Sequence, residues 1–209
     1  SAPAADFRPE VVVSYWRSPE AWGAQGWARR AGVPLVAGAR GSDIRVRDAV
    51  SRRLTRPVVR GARRLLVVSA DLGRLAVRDY GADAARVRVI PNGCDARTFH
   101  LRERGPARAA LGVDDAAELV LYVGRLVPEK GLRELIAATR SLAAQRPRLS
   151  LVLVGDGPMR GEIEAALAAT PCAAVRLAGP QPPDSVASWL AACNLLALPS
   201  YSEGHPNVL

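Results

Sequence analysis

Short runs of β-branched and leucine residues recur every 20 to 30 residues along the chain, and segments with helical spacing lie between most of them. This alternation is typical of βαβ units, in which consecutive strands lie parallel because a helix carries the chain back across the sheet. The sequence therefore predicts an α/β fold with parallel sheets. The strand candidates are 11–16, 34–39, 65–70, 87–92, 119–124, 149–155, 174–179 and 195–200.

Three helices are predicted between the strand candidates of the second half of the chain. The first covers 131–145 and the second covers 159–169. The third begins at Pro183 or Asp184, and Asp184 is a candidate N-cap. Each has mostly apolar residues at steps of three and four, so that one face can pack on a sheet. The inward positions are Leu132, Leu135, Ile136, Thr139 and Leu142, then Ile163, Ala166 and Leu167, then Val186, Trp189 and Leu190.

A polar segment over 96–117 divides the strand candidates into two groups of four. The charge changes sign across it, since residues 1–110 carry a net charge of +11 and residues 111–209 carry −2. Composition shifts of this kind are typical of domain boundaries. The sequence therefore predicts two Rossmann-like domains with parallel sheets, at 1–105 and 106–209.

The last strand candidate, 195–200, is followed by a turn but by no helix. A sheet that lacks its last helix exposes an apolar face to water. We therefore expect both predicted domains to be incomplete in this chain.

The apolar stretches, such as 149–154, have the length of strands and are too short to cross a bilayer. The first residues lack the basic flank and the hydrophobic segment of a signal peptide, so we expect a cytoplasmic protein. Cys94, Cys172 and Cys193 form no C-x-x-C pair and leave one cysteine over. Neither a disulfide framework nor a metal site is therefore expected.

Gly124 ends a strand candidate, and a short loop then leads to a helix that begins near Leu132. Arg125 and Lys130, the only lysine among 29 basic residues, lie at the two ends of this loop. Phosphorylated ligands bind where a loop at the carboxyl end of a parallel strand feeds a helix N-terminus. An arginine fork and a lysine ammonium at this place would hold a diphosphate. A solvated surface loop is the alternative.

The last strand candidate ends at Pro199 and leads into a second loop, which contains Glu203. A carboxylate there can accept hydrogen bonds from sugar hydroxyls. Gly204 lets the backbone approach a ligand, and Pro206 suits a first helical turn. Because the strands are predicted to be parallel, both loops are expected at one edge of one sheet. Taken alone, this second loop is equally consistent with an ordinary capped turn.

Together these segments resemble the family 4 glycosyltransferases, retaining enzymes of GT-B fold that use a nucleotide-diphosphate sugar. The similar strings follow one another in the family's order and at family-like spacing. They are VIPNGCD (89–95), LYVGRLVPEKG (121–131), LVLVGDGP (151–158), LAGP (177–180) and LPSYSEGHPNVL (198–209). In the first half, PEVVVSYWRSPEAWGA and VPLVAGARGSDI are similar to family segments more loosely.

The resemblance implies roles for residues of both loops. Arg125 and Lys130, which follow Gly124, would hold the donor diphosphate. Glu203 would bind hydroxyls of the transferred sugar, and Gly179 would lie beside the nucleobase. We therefore expect Glu203, Arg125 and Lys130 to carry catalysis. The residues whose backbone would approach the sugar and phosphate are Gly204, His205, Pro206 and Asn207.

In the first half, the resemblance implies that Arg40 and Asp43 face the cleft between the domains. Asn92 would lie in the turn that leaves the acceptor domain. Many members have a histidine at the position of Arg40, and the family's second glutamate would follow beyond Leu209. The family's glycine-rich loop at the start of the acceptor domain is also absent. We therefore expect the isolated chain to be inactive.

A retaining transfer through an oxocarbenium-like transition state depends on stabilising the departing diphosphate, and cationic side chains can do this. With Arg125 and Lys130 in that role, neither a metal nor a cofactor is expected. The expected donor is a UDP-, GDP- or ADP-sugar. A glycan, a lipid-linked molecule and a small molecule all stay open as acceptors.

Other functions share parts of this pattern. A NAD-type dinucleotide-binding enzyme would have G-x-G-x-x-G, whereas residues 154–161 read VGDGPMRG, with Pro158 inside the motif. An Arg-rich nucleic-acid-binding protein would interleave aromatic residues with its arginines, but aromatic residues are 5% of this chain and stand apart from the arginine run. A GT-B epimerase or phosphorylase would differ in its donor-domain motifs. We therefore favour a glycosyltransferase and expect no nucleic-acid partner.

The segment from Arg40 to Arg64 carries nine arginines, against only Asp43 and Asp48. Apolar residues are interspersed, which is typical of an amphipathic helix on an anionic membrane surface. Such a helix would place the protein at the inner face of the plasma membrane. A solvated helix on the outside of the domain is the alternative, and we expect Pro57 to interrupt the helix.

Overall fold

The structure is a computed structural model. It describes residues 8–15, 20–41, 44–45 and 48–208. By its internal contacts the chain divides into two compact units. The first unit is Ser1–Gly93 with Glu203–Asn207, and the second unit is Cys94–Ser202 with Val208–Leu209.

In the described residues of the first unit, four parallel strands form one sheet in the order β1-β2-β3-β4. The strands are β1 Val12–Ser14, β2 Leu35–Ala39, β3 Arg64–Val67 and β4 Val87–Val89. The helices are α1 Glu20–Ala31, α2 Ala49–Gly61 and α3 Ala70–Leu75, and α3 continues into a π-helical turn, Ala76–Tyr80. A 3₁₀ turn, Ala84–Arg86, precedes β4.

In the described residues of the second unit, four parallel strands form a sheet in the order β7-β6-β5-β8. The strands are β5 Glu118–Val123, β6 Leu149–Val154, β7 Val175–Gly179 and β8 Leu195–Leu196. The helices are α4 Arg104–Leu111, α5 Leu132–Ala143, α6 Arg160–Ala169 and α7 Pro183–Ala192, and a 3₁₀ turn, Pro128–Lys130, precedes α5.

Strand β6 shows how the second sheet is covered on both faces. Leu151 and Leu153 are buried in one hydrophobic cluster with residues of α5 and α6. Val152 and Val154 are buried in another cluster with residues of α4 and α7. Because successive side chains of a strand point to opposite faces, a continuous apolar run of this kind suits a strand that is buried on both sides.

The predicted α/β fold with parallel sheets is confirmed. A strand overlaps every strand candidate, and α5, α6 and α7 lie where helices were predicted. Three details were wrong. Ala166, which was predicted to face inward, is exposed on α6. Leu142 is 45% exposed, because it lies in the last turn of α5, beyond the core. The N-cap of α7 is Pro182, and the Asp184 carboxylate instead pairs with the Arg102 guanidinium at 3.3 Å.

The polar segment 96–117 contains an ordered helix, α4. Its inward side chain is Arg108, which is only 3% exposed although it is charged. The guanidinium donates hydrogen bonds to the carbonyl oxygen of Ala192 at 3.0 Å and to Asn194 Oδ1 at 2.6 Å, and also to backbone carbonyls at 114, 115 and 117. By internal contacts, the chain passes from the first unit to the second between Gly93 and Cys94. The predicted domain boundary after residue 105 stays a prediction.

Pro57 does not interrupt α2, contrary to the prediction. The helix runs from Ala49 to Gly61 and begins at the N-cap Asp48, whose carboxylate accepts a hydrogen bond from Ser51 N at 2.7 Å. A proline removes one helical hydrogen bond. The helix is also tied to α1, since the carbonyl oxygen of Pro57 accepts a hydrogen bond from Gln25 Nε2 at 2.8 Å.

Candidate functional site

The loops that follow the strands of the second sheet begin at one edge of that sheet, because all of its strands are parallel. We call residues 124–131 the β5 loop, residues 155–158 the β6 loop and residues 197–202 the β8 loop. In open parallel sheets, this carboxyl edge is where ligands bind. The edge therefore defines the candidate site of the second unit.

The β5 loop is fixed to the core at two points. The hydroxyl of Tyr122, a fully buried residue of β5, donates a hydrogen bond to the carbonyl oxygen of Arg125 at 2.8 Å. Leu126 is 1% exposed and packs in the core next to the loop's exposed Arg125. Lys130, at the far end, is half-buried. The backbone that carries the two cations is therefore held in one place.

Backbone hydrogen bonds join the β5 loop to the β6 loop. Leu126 N donates to the carbonyl oxygen of Asp156 at 2.9 Å, and Met159 N donates to that of Leu126 at 3.0 Å. Gly155 makes this approach possible. Its φ is +136°, and a β-carbon there would overlap the carbonyl oxygen of Gly124. Only glycine fits such a position without strain.

The β8 loop is joined to the β5 loop and to the start of α5. Tyr201 N donates a hydrogen bond to the carbonyl oxygen of Glu129 at 2.9 Å. The Tyr201 hydroxyl donates to Glu134 Oε1 at 2.6 Å. This side-chain hydrogen bond lowers the pKa of the Glu134 carboxyl and raises the pKa of the Tyr201 hydroxyl. Tyr201 thus contacts the chain on both sides of Lys130, at Glu129 before it and at Glu134 after it.

The resulting edge favours an anionic ligand. The chain enters α5 through Gly131, directly after Lys130, so a helix N-terminus begins one residue after this lysine. In the described part of the chain, the exposed Arg125 guanidinium has no hydrogen bond or ion pair. A helix N-terminus and two cations provide N–H donors and positive charge for phosphate oxygens. Gly124 and Gly179 also lie at this edge, and Gly155 N donates to the carbonyl oxygen of Gly179 at 2.9 Å.

Residues 203–207 cluster with the first unit. There the Asn92 side-chain amide donates a hydrogen bond to Asn207 Oδ1 at 2.7 Å. Gly204 lies directly against the Arg40 backbone, and a β-carbon at this glycine would overlap the carbonyl oxygen of Arg40. The structure therefore brings together Arg40 and Asn92, two residues predicted at the cleft, with Gly204 and Asn207 from the predicted donor-binding run.

The remaining predicted site residues are less informative. Glu203, His205 and Pro206 are half-buried. Asp43 lies outside the described residues. The Arg40 guanidinium lies over the ring of Tyr15, 5.3 Å from its centre, which orients it by a cation–π interaction.

Sequence reasoning missed the residues that hold the loops. The sequence pattern does not distinguish Tyr122 from the other apolar residues of β5, and it indicates only a turn at Tyr201. No spacing rule links either of them to its partner. A glycine directly after an apolar strand was the available signal for Gly155, since such glycines often allow close backbone approach.

Among the described residues, no three histidine, cysteine, aspartate or glutamate side chains lie close enough to hold a metal ion. None of the helices in that part of the chain combines the length and the apolar character needed to span a bilayer.

Comparison with known families decides the assignment. The model of the family described as Glycosyl transferases group 1 matches residues 103–209, which is just over half of the chain. The model of Glycosyltransferase Family 4 matches residues 3–98. The chain belongs to the group 1 glycosyltransferases of family 4. The resemblance drawn from its motifs is confirmed.

Curated relatives of this family match most of the chain. The D-inositol 3-phosphate glycosyltransferase of Rhodococcus opacus is 34% identical over 213 residues, which cover 92% of this chain and 47% of the relative. The putative teichuronic acid biosynthesis glycosyltransferase TuaC of Bacillus subtilis is 32% identical, and the match covers 98% of this chain and 50% of TuaC. The chain thus spans about half the length of the curated relatives it matches.

Solved structures share the fold of this chain. Anabaena Alr3699/HepE in complex with UDP-glucose superposes with a TM-score of 0.75 at 22% identity, over 91% of this chain and 53% of that protein. At this identity the likeness shows the fold alone. Together with the two parallel sheets, it confirms the GT-B fold of this glycosyltransferase family.

Proposed function

We propose that this chain takes part in the transfer of a sugar from a nucleotide-diphosphate sugar to an acceptor, with retention of the anomeric configuration. The observation that carries the proposal is the β5 loop. It presents Arg125 and Lys130 at the N-terminus of α5, on backbone that Tyr122 and the neighbouring loops hold in place. The relatives' names and the UDP-glucose bound to HepE support a sugar-nucleotide donor.

The cations of the β5 loop act on the leaving group. When the bond between the anomeric carbon and the diphosphate oxygen breaks, its electron pair leaves with the diphosphate. Arg125 and Lys130 stabilise this developing negative charge, and they do so without reorganisation because the loop is already fixed. Removal of one such preorganised donor typically lowers the rate by about 100- to 1,000-fold.

Two further predicted residues have proposed roles in donor binding. Glu203 accepts hydrogen bonds from hydroxyls of the transferred sugar, and the turn at Gly179 lies beside the nucleobase. No cofactor takes part. The donor is a UDP-, GDP- or ADP-sugar, and the acceptor is a glycan, a lipid-linked molecule or a small molecule.

Calorimetry of the protein with UDP-, GDP- and ADP-sugars tests the donor class. At least one of these donors is expected to bind, and Lys130→Met and Arg125→Met are each expected to weaken that binding by about tenfold or more. The matched control is Arg148→Met. Arg148 is exposed and directly precedes β6, so it lies at the opposite edge of the same sheet.

Two results would contradict the proposal in different ways. Binding of NAD without binding of any nucleotide sugar would make the function wrong. Equal weakening by Arg148→Met and Arg125→Met would leave the function standing but make the site wrong. Retention is tested separately, by the anomeric configuration of the product in nuclear magnetic resonance spectra.

Helix α2 supports a second proposal, contact with an anionic membrane surface. Arg52, Arg53 and Arg56 are exposed on this helix, next to Val50, which is 69% exposed. Trp22, on α1, is 47% exposed and donates a hydrogen bond from its ring N–H to the carbonyl oxygen of Leu54, in α2, at 2.7 Å. Cations and an indole ring side by side are typical of interfacial helices. Sedimentation that does not depend on anionic lipid would remove this proposal.

A further inference from the structure

A groove of about 440 Å³ lies beside the first two turns of α2 in the first unit. Its walls are Ala49, three arginine side chains of α2 and Asp79 of the π-helical turn. The arginines are Arg52, Arg53 and Arg56. A groove of this volume has the size of an ordinary small-molecule site.

The positive charges of the groove are not balanced by the carboxylate in its wall. Asp79 is held by Arg78, whose guanidinium donates to both carboxylate oxygens at 2.6 and 3.1 Å. This pairing, with a smaller contribution from Arg52, lowers the pKa of Asp79 and keeps it ionised. Among the described residues, Arg56 Nη2 donates only to the carbonyl oxygen of Asp79, at 3.2 Å. In the described part of the chain, the guanidinium groups of Arg52 and Arg53 have no hydrogen bond or ion pair.

Three like charges within two helical turns repel one another, and like-charged pairs at i,i+4, such as Arg52 and Arg56, destabilise a helix. An anion in the groove would remove this repulsion. Guanidinium groups bind phosphate oxygens in a bidentate manner, more specifically than an ammonium group does. A phosphate monoester places three such oxygens on one atom, enough for all three guanidinium groups, whereas a carboxylate has two. The groove therefore favours a phosphate group over a carboxylate of equal charge.

The position of the groove adds to this preference. Ala49 is the first residue of α2, and the partial positive charge of a helix N-terminus favours anions. The Asp48 carboxylate offsets part of this charge by capping Ser51 N. Because α2 follows β2, its first turns lie toward the carboxyl edge of the first sheet, the edge that also carries Arg40 and Asn92.

We propose that this groove binds the phosphate group of a phosphate ester, held by Arg52, Arg53 and Arg56. The ester is a soluble phosphorylated alcohol or the headgroup of a phospholipid, since both present the same oxygens to the arginines. The volume leaves room for the alcohol as well as the phosphate. The site is separate from the β5 loop, and its test does not depend on sugar transfer.

The test compares two double variants that lose the same charge. Arg52→Gln/Arg53→Gln removes two cations from the groove, and Arg30→Gln/Arg63→Gln removes two exposed cations of the first unit outside it. All four side chains are exposed, so both variants are expected to fold, which circular dichroism checks. The soluble probes are glycerol 3-phosphate and malate, a dicarboxylate of about the same charge, and calorimetry measures the binding of each. The lipid probes are phosphatidylcholine vesicles that contain phosphatidic acid or, at equal charge, oleic acid.

We expect at least one phosphate probe to bind the protein. The groove variant should weaken this binding by about tenfold or more, and the control variant should weaken it by less than about twofold. Binding of glycerol 3-phosphate identifies a soluble source, and binding of phosphatidic acid vesicles alone identifies a lipid source. The proposal is overturned if neither phosphate probe binds the protein. It is also overturned if both variants weaken binding equally, or if the carboxylate probes bind as tightly as the phosphates.

Discussion

Each unit has a buried tyrosine whose hydroxyl donates a hydrogen bond to a loop at the carboxyl edge of its sheet. The two tyrosines differ in how far along the chain they lie from that loop. Tyr122 donates to the carbonyl oxygen of Arg125, three residues away, at 2.8 Å. Tyr80 donates to the carbonyl oxygen of Ile44, 36 residues away, at 2.7 Å. The first anchor is available as soon as β5 and its loop form. The second requires the π-helical turn to be in place.

The difference extends to the other contacts of the two edges. In the second unit, the β5 loop is joined to its neighbours by backbone hydrogen bonds at positions where glycine permits close approach. In the first unit, the backbone after β2 is joined to α3 through a side-chain ion pair, Arg45 with Asp71. Backbone contacts of this kind fix a loop more rigidly than exposed side-chain pairs do. This rigidity suits a loop that binds a diphosphate in a preorganised geometry.

The largest expected effect comes from breaking the backbone contact of the second unit. Gly155→Ala would force a positive φ on alanine and push its β-carbon into the carbonyl oxygen of Gly124. We expect the second unit to lose about 3 kcal/mol of its free energy of unfolding. Urea denaturation with hydrogen exchange resolved by peptide measures the loss in each unit.

The matched control is Gly161→Ala, in the first turn of α6, where a β-carbon meets no atom within 4 Å. It is expected to stabilise the unit by up to about 1 kcal/mol, because alanine favours helix. An equal loss in both variants would show that the close approach at Gly155 is not what holds the loops.

The second prediction separates the two tyrosine anchors. Tyr122→Phe and Tyr80→Phe each leave a carbonyl oxygen without its buried donor, so each should cost about 1 to 2 kcal/mol of unfolding free energy. Only Tyr122→Phe is expected to weaken nucleotide-sugar binding, since only its loop carries Arg125. Calorimetry measures the binding, and an equal effect of Tyr80→Phe would contradict the assignment of the donor loop to the second unit.

A smaller effect is expected from Tyr201→Phe, which removes the hydrogen bond to Glu134 but keeps the ring. The bond lowers the pKa of Glu134, so its contribution is present above the ordinary carboxyl range and is lost as pH falls through the lowered pKa. The same bond raises the pKa of Tyr201, so its contribution is present below about pH 10 and is lost as pH rises through the raised pKa.

The difference in stability between the protein and Tyr201→Phe should therefore be constant between about pH 5 and pH 9. It should vanish in acid, where Glu134 is protonated. Denaturation at a series of pH values measures this difference. A difference that persists unchanged in acid would show that Tyr201 acts through its ring and not through its hydroxyl.

The smallest effect is expected from the ion pair of the first unit. Arg45→Gln should cost about 0.2 to 1 kcal/mol, because the side chain of Asp71 is 55% exposed and water screens the pair. The cost should decrease as salt is added. Arg74→Gln is the control, since Arg74 is 73% exposed and lies farther from the same carboxylate, at 3.5 Å. A cost that does not depend on salt would contradict the view that an exposed ion pair holds the edge of the first unit.

The composition of the strands made the candidate site partly predictable. Apolar runs at regular intervals predict parallel strands, and parallel strands place Arg125 and Lys130 at one edge with Gly179. In the polar segment 96–117, by contrast, Arg108 looks like a surface residue in the sequence. Its burial depends on carbonyl groups near 115 and 192, which only the folded chain brings to one point.

The sequence by itself determined the alternation of strands and helices, the edge at which the strand loops lie, and the cations of the β5 loop. These features follow from local periodicity and from the rule that parallel strands share a direction. Only the tertiary structure decided that Gly155 would meet Gly124 and that Tyr80 would reach Ile44. Such contacts depend on the register between strands and on the packing of helices. Residues far apart in the chain set both of these, and no local pattern records them.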